Sequence, residues 1–264
     1  MELSIVTVCY NAENIIEGTI KSVLNQDFKD YEYIFVDGGS EDKTNEIISR
    51  YKALFEGAGI NVIHISEKDN GIYDAMNKGI RNAAGEWICF MNAGDTFYSD
   101  DTLKNVFEGR NRSHADVIYG DVEECDNKTS WISKAGKPER LLSGMTFCHQ
   151  SSFVKTELAK ENLFDTNYKI CADYNMFLSF YMSGKNFIKL DQTVSRFSVD
   201  GVCHNNLVRH FTEKFEIQSK YGLADMESKE VKQVLRKMRV REMIKGAVPI
   251  NILSFIRSFR KRKL

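Results

Sequence analysis

Across the first 120 residues, short apolar runs rich in β-branched side chains alternate with segments whose apolar residues recur at helical spacing. Leu3–Cys9, Tyr31–Val36, Asn61–Ile65, Glu86–Met91 and Asp116–Gly120 read as strands. Between them, Ile15, Ile16, Thr19, Ile20, Val23 and Leu24 share one helical face, and Ile72, Ala75, Met76, Gly79 and Ile80 share another. Ser40, Glu41 and Asp42 supply an N-cap and an acidic first turn for a helix to about Phe55, and a further helix starts at Asp101. Strand, loop and helix repeated over short connections specify an α/β chain with a parallel sheet covered on both faces. Ligands of such sheets bind outside the carboxyl ends of the strands. The polar clusters fall there: Tyr10-Asn11, Asp37-Gly38-Gly39, Glu67-Lys68-Asp69 and Asn92-Ala93-Gly94-Asp95.

After residue 120 the rhythm changes. Val122–Ser133 reads as a hairpin around Asp126-Asn127-Lys128, Ile170–Ser183 as a helix and Phe187–Phe197 as a strand, with helix from Asn205 to a break near Gly246–Pro249. Residues 1–228 are therefore expected to form one domain, with one half over about 1–120 and a second over about 121–228. The net charge of −1 hides an asymmetry, because residues 229–264 hold twelve Lys or Arg against two Glu. That leaves 24 basic and 35 acidic side chains elsewhere, an acidic body carrying a basic appendage.

Several chemistries are excluded by what the strand ends lack. No G-x-G-x-x-G follows the first strand, no G-x-x-x-x-G-K-[ST] occurs, and no G-x-S-x-G marks a nucleophile elbow. Acid-based chemistry remains. Asp37, followed by two glycines that admit a ligand to the backbone, suits a base or ribose contact. Asp95 suits either a divalent cation, since Mg²⁺ takes one or two carboxylates plus phosphates, or a turn or helix cap. Asp173 reads as a helix N-cap or as a general base taking a proton from an attacking hydroxyl. His64, Trp87 and Trp131 read as packing or edge residues.

Four segments in order, S-I-V-T-V-C-Y-N at 4–11, D-G-G-S-E-D-K-T at 37–44, S-E-K-D-N-G-I-Y-D-A-M-N-K-G at 66–79 and G-E-W-I-C-F-M-N-A-G-D at 85–95, resemble family 2 nucleotide-sugar glycosyltransferases. The likeness extends through C-H-Q-S-S-F at 148–153 and A-D-Y-N-M-F at 172–177, and is closest to the bacterial branch that builds capsule, O-antigen and colanic-acid-type polysaccharides. It implies a GT-A fold, a Rossmann-like mixed sheet flanked by helices, and an inverting single displacement from a nucleoside-diphosphate sugar to an acceptor hydroxyl. The resemblance carries Thr7, Tyr10 and Asn11 to the nucleotide pocket, Asp37 to the base, and Asp69 and Lys78 beside the nucleoside or diphosphate. It carries Asn92 and Asp95 to the D-x-D-type position holding Mg²⁺ or Mn²⁺, Asp173 to the catalytic base, and His149 and Gln150 to the acceptor or diphosphate. His204 is a late histidine of the kind that completes a metal shell in some GT-A enzymes, with a surface role as the alternative. Two positions depart from the common pattern: Gly94 and Ala172 stand where acids are frequent. A nucleotidyltransferase shares the layered plan but would carry a Gly-rich basic N-terminal loop, and an idle assembly subunit is the non-enzymatic alternative.

The six cysteines are widely spaced without a C-x-x-C, the first residues lack a signal-peptide pattern, and no run of about 18 apolar residues occurs. A cytoplasmic location is expected. Val231, Val234, Leu235 and Met238 share a helical face suited to packing on the domain. The last 15 residues place Ile252, Ile256 and Phe259 at helical spacing before Arg260-Lys261-Arg262-Lys263, the pattern of an amphipathic helix lying on anionic lipid at the inner membrane face. A lipid-linked or saccharide acceptor fits that placement. The acidic body speaks against nucleic acid as a partner.

Overall fold

The computed structural model describes residues 1–108, 112, 114–126, 129–198 and 206–247. Strands β1 (Leu3–Cys9), β2 (Tyr31–Asp37), β3 (Val62–Ser66) and β4 (Trp87–Phe90) form a parallel block in the order β3-β2-β1-β4. Helices α1 (Ile16–Leu24), α2 (Thr44–Gly57) and α3 (Ile72–Asn82) connect them, as the alternation requires. Every residue of β1 and β2 is buried, the mark of strands covered on both faces. Ile16, Ile20 and Val23 of α1 and Ile48 and Phe55 of α2 are fully enclosed, each side chain stabilising by about 1.5–3 kcal/mol. A Cβ at Gly79 would lie 2.5 Å from Val6 Cγ1, so α3 crosses β1 at a point that only glycine leaves open.

The parallel pattern stops at β4. The sheet continues through β8 (Ser152–Lys155), β6 (Val117–Cys125), β9 (Phe187–Ser198) and β5 (Thr96–Phe97), with β7 (Ser130–Ser133) paired to β6. β8 runs antiparallel to both β4 and β6, because the chain returns from β6 through β7 and short 3₁₀ turns without a crossover helix. α5 (Thr156–Glu161) and α6 (Ala172–Met182) then carry the chain to β9, which lies parallel to β6. α4 (Thr102–Phe107) follows β5. The expected hairpin is present as β6–β7, with Val122 opposite Ser133; its tip, Asn127-Lys128, lies outside the described residues.

Two expectations need correction. The helix after β2 starts at Thr44, and Ser40 does not cap it: the Ser40 hydroxyl and amide both donate to Asp37, while Asp42 Oδ1 accepts from the Thr44 amide at 3.0 Å. β6 also runs past Gly120 to Cys125, its polar Asp121 taken up by Lys134 and the Ala135 amide.

The chain divides into two compact units, Met1–Val199 and Asp200–Leu264. In the second, α7 (Leu207–Lys220) and α8 (Lys229–Ala247) pack together, and the Val208 amide donates to Glu242 at 2.8 Å. The division falls ahead of the 228/229 boundary drawn from charge because α7 is the packing partner of α8. The amphipathic segment expected over the last 15 residues lies outside the described residues.

Candidate active site

The ends of β1, β2 and β3 form one side of the site. An ideal Cβ on Gly38 would sit 2.4 Å from Asp69 Oδ2 and 3.4 Å from Tyr10 Cδ2, so three loops meet here and a side chain at this position would displace the Asp69 carboxylate. Tyr10 is 62% exposed, and Asn11 adopts φ 47°, a left-handed conformation that asparagine tolerates. The Asn11 amide donates to Ser40 Oγ at 2.8 Å and its Oδ1 accepts from the Glu41 amide at 3.0 Å, which ties the first loop to the second. Asp69 Oδ1 accepts from the Gly71 amide at 2.8 Å just ahead of α3. Lys78 anchors the third loop, reaching the Lys68 carbonyl at 2.9 Å and Glu67 at 2.9 Å.

Two residues expected here face inward. Thr7 is fully buried, its hydroxyl 2.6 Å from the Met91 carbonyl and 2.8 Å from the Tyr33 hydroxyl, so it joins β1 to β4 and presents no surface to a ligand. Asp37 is likewise 0% exposed. Its carboxylate accepts from the Gly39 amide at 3.2 Å, the Ser40 amide at 3.0 Å, Asn45 at 2.9 Å, Ser66 at 2.7 Å and the Ser40 hydroxyl. Burial pushes the Asp37 carboxyl up, but Ser40, Ser66 and Asn45 hold it below the usual carboxylate range. In this conformation Asp37 is the tie that shapes the loop. His64 backs it up, with Nε2 2.9 Å from Asn45 Oδ1.

The other side is built around the turn after β4. The Asp95 amide donates to the Asn92 carbonyl at 2.9 Å, and Gly94 turns the chain at φ +99°, a conformation in which an L side chain is strained. That backbone suits glycine at a position where the resemblance implies that acids are frequent. Ala172 has a comparable reason: at the start of α6 it is 0% exposed, and a carboxylate there would be a buried charge. The 3₁₀ turn His149–Ser151, leading into β8, arrives beside the β4 turn. Gln150 Nε2 donates to Asp95 Oδ2 at 3.1 Å, and the Cys148 thiol donates to Gln150 Oε1. His149 stands between Asn92 and Asp173, with Nε2 3.4 Å from Asn92 Nδ2 and Nδ1 3.3 Å from Asp173 Oδ2. Asp173 lies in the first turn of α6, its side chain 17% exposed; Oδ1 accepts from the Tyr174 amide at 2.8 Å and lies 3.2 Å from the Tyr73 hydroxyl. Tyr73 also reaches the Ile170 carbonyl at 2.7 Å, so the first turn of α3, which follows the Asp69 loop, touches the Asp173 segment.

Asn92, Asp95, His149, Gln150 and Asp173 are thus brought into one hydrogen-bonded cluster from three remote stretches of chain. His149 and Gln150, expected on the acceptor side, spend their polar atoms on these neighbours. His204 lies outside the described residues. Burial pushes the Asp95 carboxyl up to about 6, against the opposing pull of Gln150 and His149. Burial also raises the Asp173 carboxyl, but His149, the Tyr174 amide and Tyr73 together hold it below the usual carboxylate range. Asn92 Oδ1 is buried without a hydrogen-bond partner. An orphaned amide oxygen and a desolvated carboxylate in one four-residue turn fit a hard cation, which selects oxygen donors. Among the described residues no group of three or more His, Cys, Asp or Glu could hold a metal, so a cation here needs further ligands, as from a diphosphate. Tyr73 and Cys148 were not singled out from sequence. Tyr73 stands within the motif at 66–79, but its spacing with Met76 and Ile80 reads as core.

The sequence model of glycosyl transferase family 2 matches residues 4–183. A PGL/p-HBAD biosynthesis glycosyltransferase from Mycobacterium bovis is 28% identical over 225 residues, covering 83% of this chain and 86% of that protein. The amylovoran biosynthesis glycosyltransferase AmsB of Erwinia amylovora is 27% identical over 213 residues, covering 75% and 69%. Among solved structures, residues 1–349 of S. aureus TarS in complex with UDP superpose with a TM-score of 0.67 at 20% identity, covering 90% of this chain and 70% of that one. This chain spans 43% of the longer TarS structure. A mannosyltransferase from Pyrobaculum calidifontis in complex with GDP-Man and Mn²⁺ gives a TM-score of 0.64 at 17% identity, covering 98% and 79%. The GT-A fold is therefore the fold of this chain.

Proposed function

The chain belongs to glycosyl transferase family 2, and from that premise we propose that it is a metal-assisted, inverting enzyme moving a sugar from a nucleoside-diphosphate sugar to an acceptor hydroxyl. The observation that carries the reading is the cluster at the end of β4, where Asn92 is linked to Asp173 through His149 and Asp95 is held by the adjoining Gln150. Complexes of similar folds with UDP, UDP-GlcNAc and GDP-Man support a nucleotide-sugar donor. Membership of the family favours sugar transfer over the nucleotidyl transfer that the layered plan also allows.

Asp95 and the Asn92 amide oxygen would hold Mg²⁺ or Mn²⁺ together with the donor diphosphate. Bound there, the cation supplies Lewis-acid neutralisation of charge growing on the leaving diphosphate. Tyr10, Asn11, Asp69 and Gly38 bound the nucleoside, with Asp37 and Lys78 holding their loops in shape. Asp173, ionised at neutral pH and 17% exposed, accepts the proton of the attacking hydroxyl. His149 and Tyr73 keep that carboxylate oriented. Relatives named for glycolipid and exopolysaccharide biosynthesis support a lipid-linked or saccharide acceptor in surface-glycan assembly.

Replacing Asp173 by asparagine should lower transfer about 10²- to 10⁴-fold while leaving Mn²⁺-dependent donor binding within about twofold. Retained turnover would clear Asp173 of the role, and absence of transfer or donor hydrolysis in the unaltered enzyme across a panel of nucleotide sugars would favour the idle-subunit reading. A location at the inner membrane face is part of the proposal. No helix among the described residues is long and apolar enough to cross a membrane. α8 exposes Val240, Met243 and Ile244 on a strongly basic helix, a surface suited to anionic lipid. Co-sedimentation with anionic vesicles should weaken on removing residues 248–264, with α8 supplying what remains, and equal binding without them would refute an anchoring role for that segment.

A further inference from the structure

We infer that His149 is a positioning residue whose role is to set which end of the Asn92 amide faces the cation, and that it does so from the same ring that holds Asp173. The inference rests on the proposed cation site at Asn92 and Asp95. Asp173 Oδ2 is a carboxylate oxygen and can only accept, so His149 Nδ1, 3.3 Å away, carries the proton of that contact. In the neutral ring Nε2 is then an acceptor. Asn92 meets it with Nδ2 at 3.4 Å, and its Oδ1 is left buried with no partner. The two ends of an amide are nearly equal in shape, so the choice between them has to come from a neighbour with a defined polarity. That neighbour is His149, whose polarity is defined in turn by Asp173.

The adjoining residue does parallel work on the second oxygen ligand. The Cys148 thiol donates to Gln150 Oε1, which fixes Gln150 Nε2 against Asp95 Oδ2 at 3.1 Å. Asn92 and Asp95 share one turn, and His149 and Gln150 are consecutive, so the two side-chain contacts are joined through the backbone at both ends. One 3₁₀ turn therefore orients both cation-facing groups and the proton acceptor. Outer partners of this kind commonly change metal affinity 10- to 100-fold when removed.

The test is the affinity of the full chain for Mn²⁺, read from the electron paramagnetic resonance signal of the free ion. It is run with whichever of UDP, GDP or dTDP tightens binding most. His149→Ala should weaken Mn²⁺ binding about tenfold or more. His149→Asn, which can still donate to Asp173 but has nothing at the Nε2 position, should weaken it similarly and serves where the alanine variant folds poorly. Adding Asn92→Asp to either variant should restore binding, because a carboxylate presents oxygen at both ends and needs no orientation. Mn²⁺ affinity unchanged in both His149 variants would overturn the inference, as would a loss that Asn92→Asp does not repair. Failure of the unaltered protein to bind Mn²⁺ with any of the three nucleotides would instead remove the cation reading beneath it.

Discussion

Asp95 is a carboxylate that the fold would hold more comfortably as a neutral group, and replacing it by asparagine should stabilise the protein when no cation is present. The residue is 9% exposed and its pKa rises from 3.8 to about 6. The folded state thus binds a proton that the unfolded state has released between about pH 4 and 6. Stability from this group is fully present below the unfolded pKa and is lost as pH rises through the folded one. At pH 7.5 the loss amounts to about 3 kcal/mol, and at pH 4.5 to about 1 kcal/mol. Asparagine keeps an oxygen for Gln150 and has no charge to desolvate. At about 2–4 °C per kcal/mol for a domain of this size, Asp95→Asn should raise Tm by about 6–12 °C at pH 7.5 in EDTA, and by about a third of that at pH 4.5. Calorimetry at both pH values measures it. Saturating Mn²⁺ with nucleotide should raise the Tm of the unaltered protein and leave the variant where it was. An unchanged or lower Tm for the variant at pH 7.5, or a gain equal at both pH values, would refute the account of Asp95 as a desolvated ligand.

Further outcomes follow from the packing and polar ties described above. Gly79→Ala should cost about 1–3 kcal/mol in urea unfolding, because the new methyl meets Val6 Cγ1 at 2.5 Å, whereas Gly57→Ala, with nothing within 4 Å, should be neutral or mildly stabilising. Asp37→Ala should cost about 3 kcal/mol by stranding the donors of Ser40, Asn45 and Ser66. Because the Asp37 pKa is lowered on folding, the ionised part of its contribution is present above about pH 4 and fades as pH falls through the folded value, so the gap between variant and unaltered protein should narrow in acid.

The parallel half of the sheet was legible because strands buried on both faces are predominantly apolar, and Leu3–Cys9 and Tyr31–Asp37 are so apart from Ser4, Thr7, Glu32 and Asp37. β5 was not, since two residues carry no periodicity, and the end of β6 was hidden by Asp121, Glu123 and Glu124. Ser40 misled because a serine ahead of a helix looks like a cap, and nothing local reveals that Asp37 competes for its hydroxyl. Thr7 and Asp37 were read as ligand contacts for a related reason: the groups that occupy them, Met91, Tyr33, Asn45 and Ser66, stand 8 to 84 residues away. Asn92, Asp95 and Asp173 stand in the motifs at 85–95 and 172–177, but their proximity does not. The bridge that His149 and Gln150 make between them spans separations of 55 and 57 residues within the β4 and β8 contacts, which only the folded sheet brings into range.

The reversal of direction at β8 has a bearing on fidelity. An antiparallel neighbour begins where its partner ends, so the residues preceding β8 are delivered to the tip of β4 by the ladder that pairs Ile88 with Val154 and Trp87 with Lys155. A slip of two residues along that seam would keep every side chain on its proper face while moving Phe153 off its edge-on contact with Phe107. It would nevertheless carry the histidine and glutamine about 7 Å along the strand axis, out of reach of both acids. The geometry of the proposed site is thus tied to the alignment of β8 with β4, which the burial of Phe153 and the polar contacts of His149 and Gln150 hold from the two ends of one short segment.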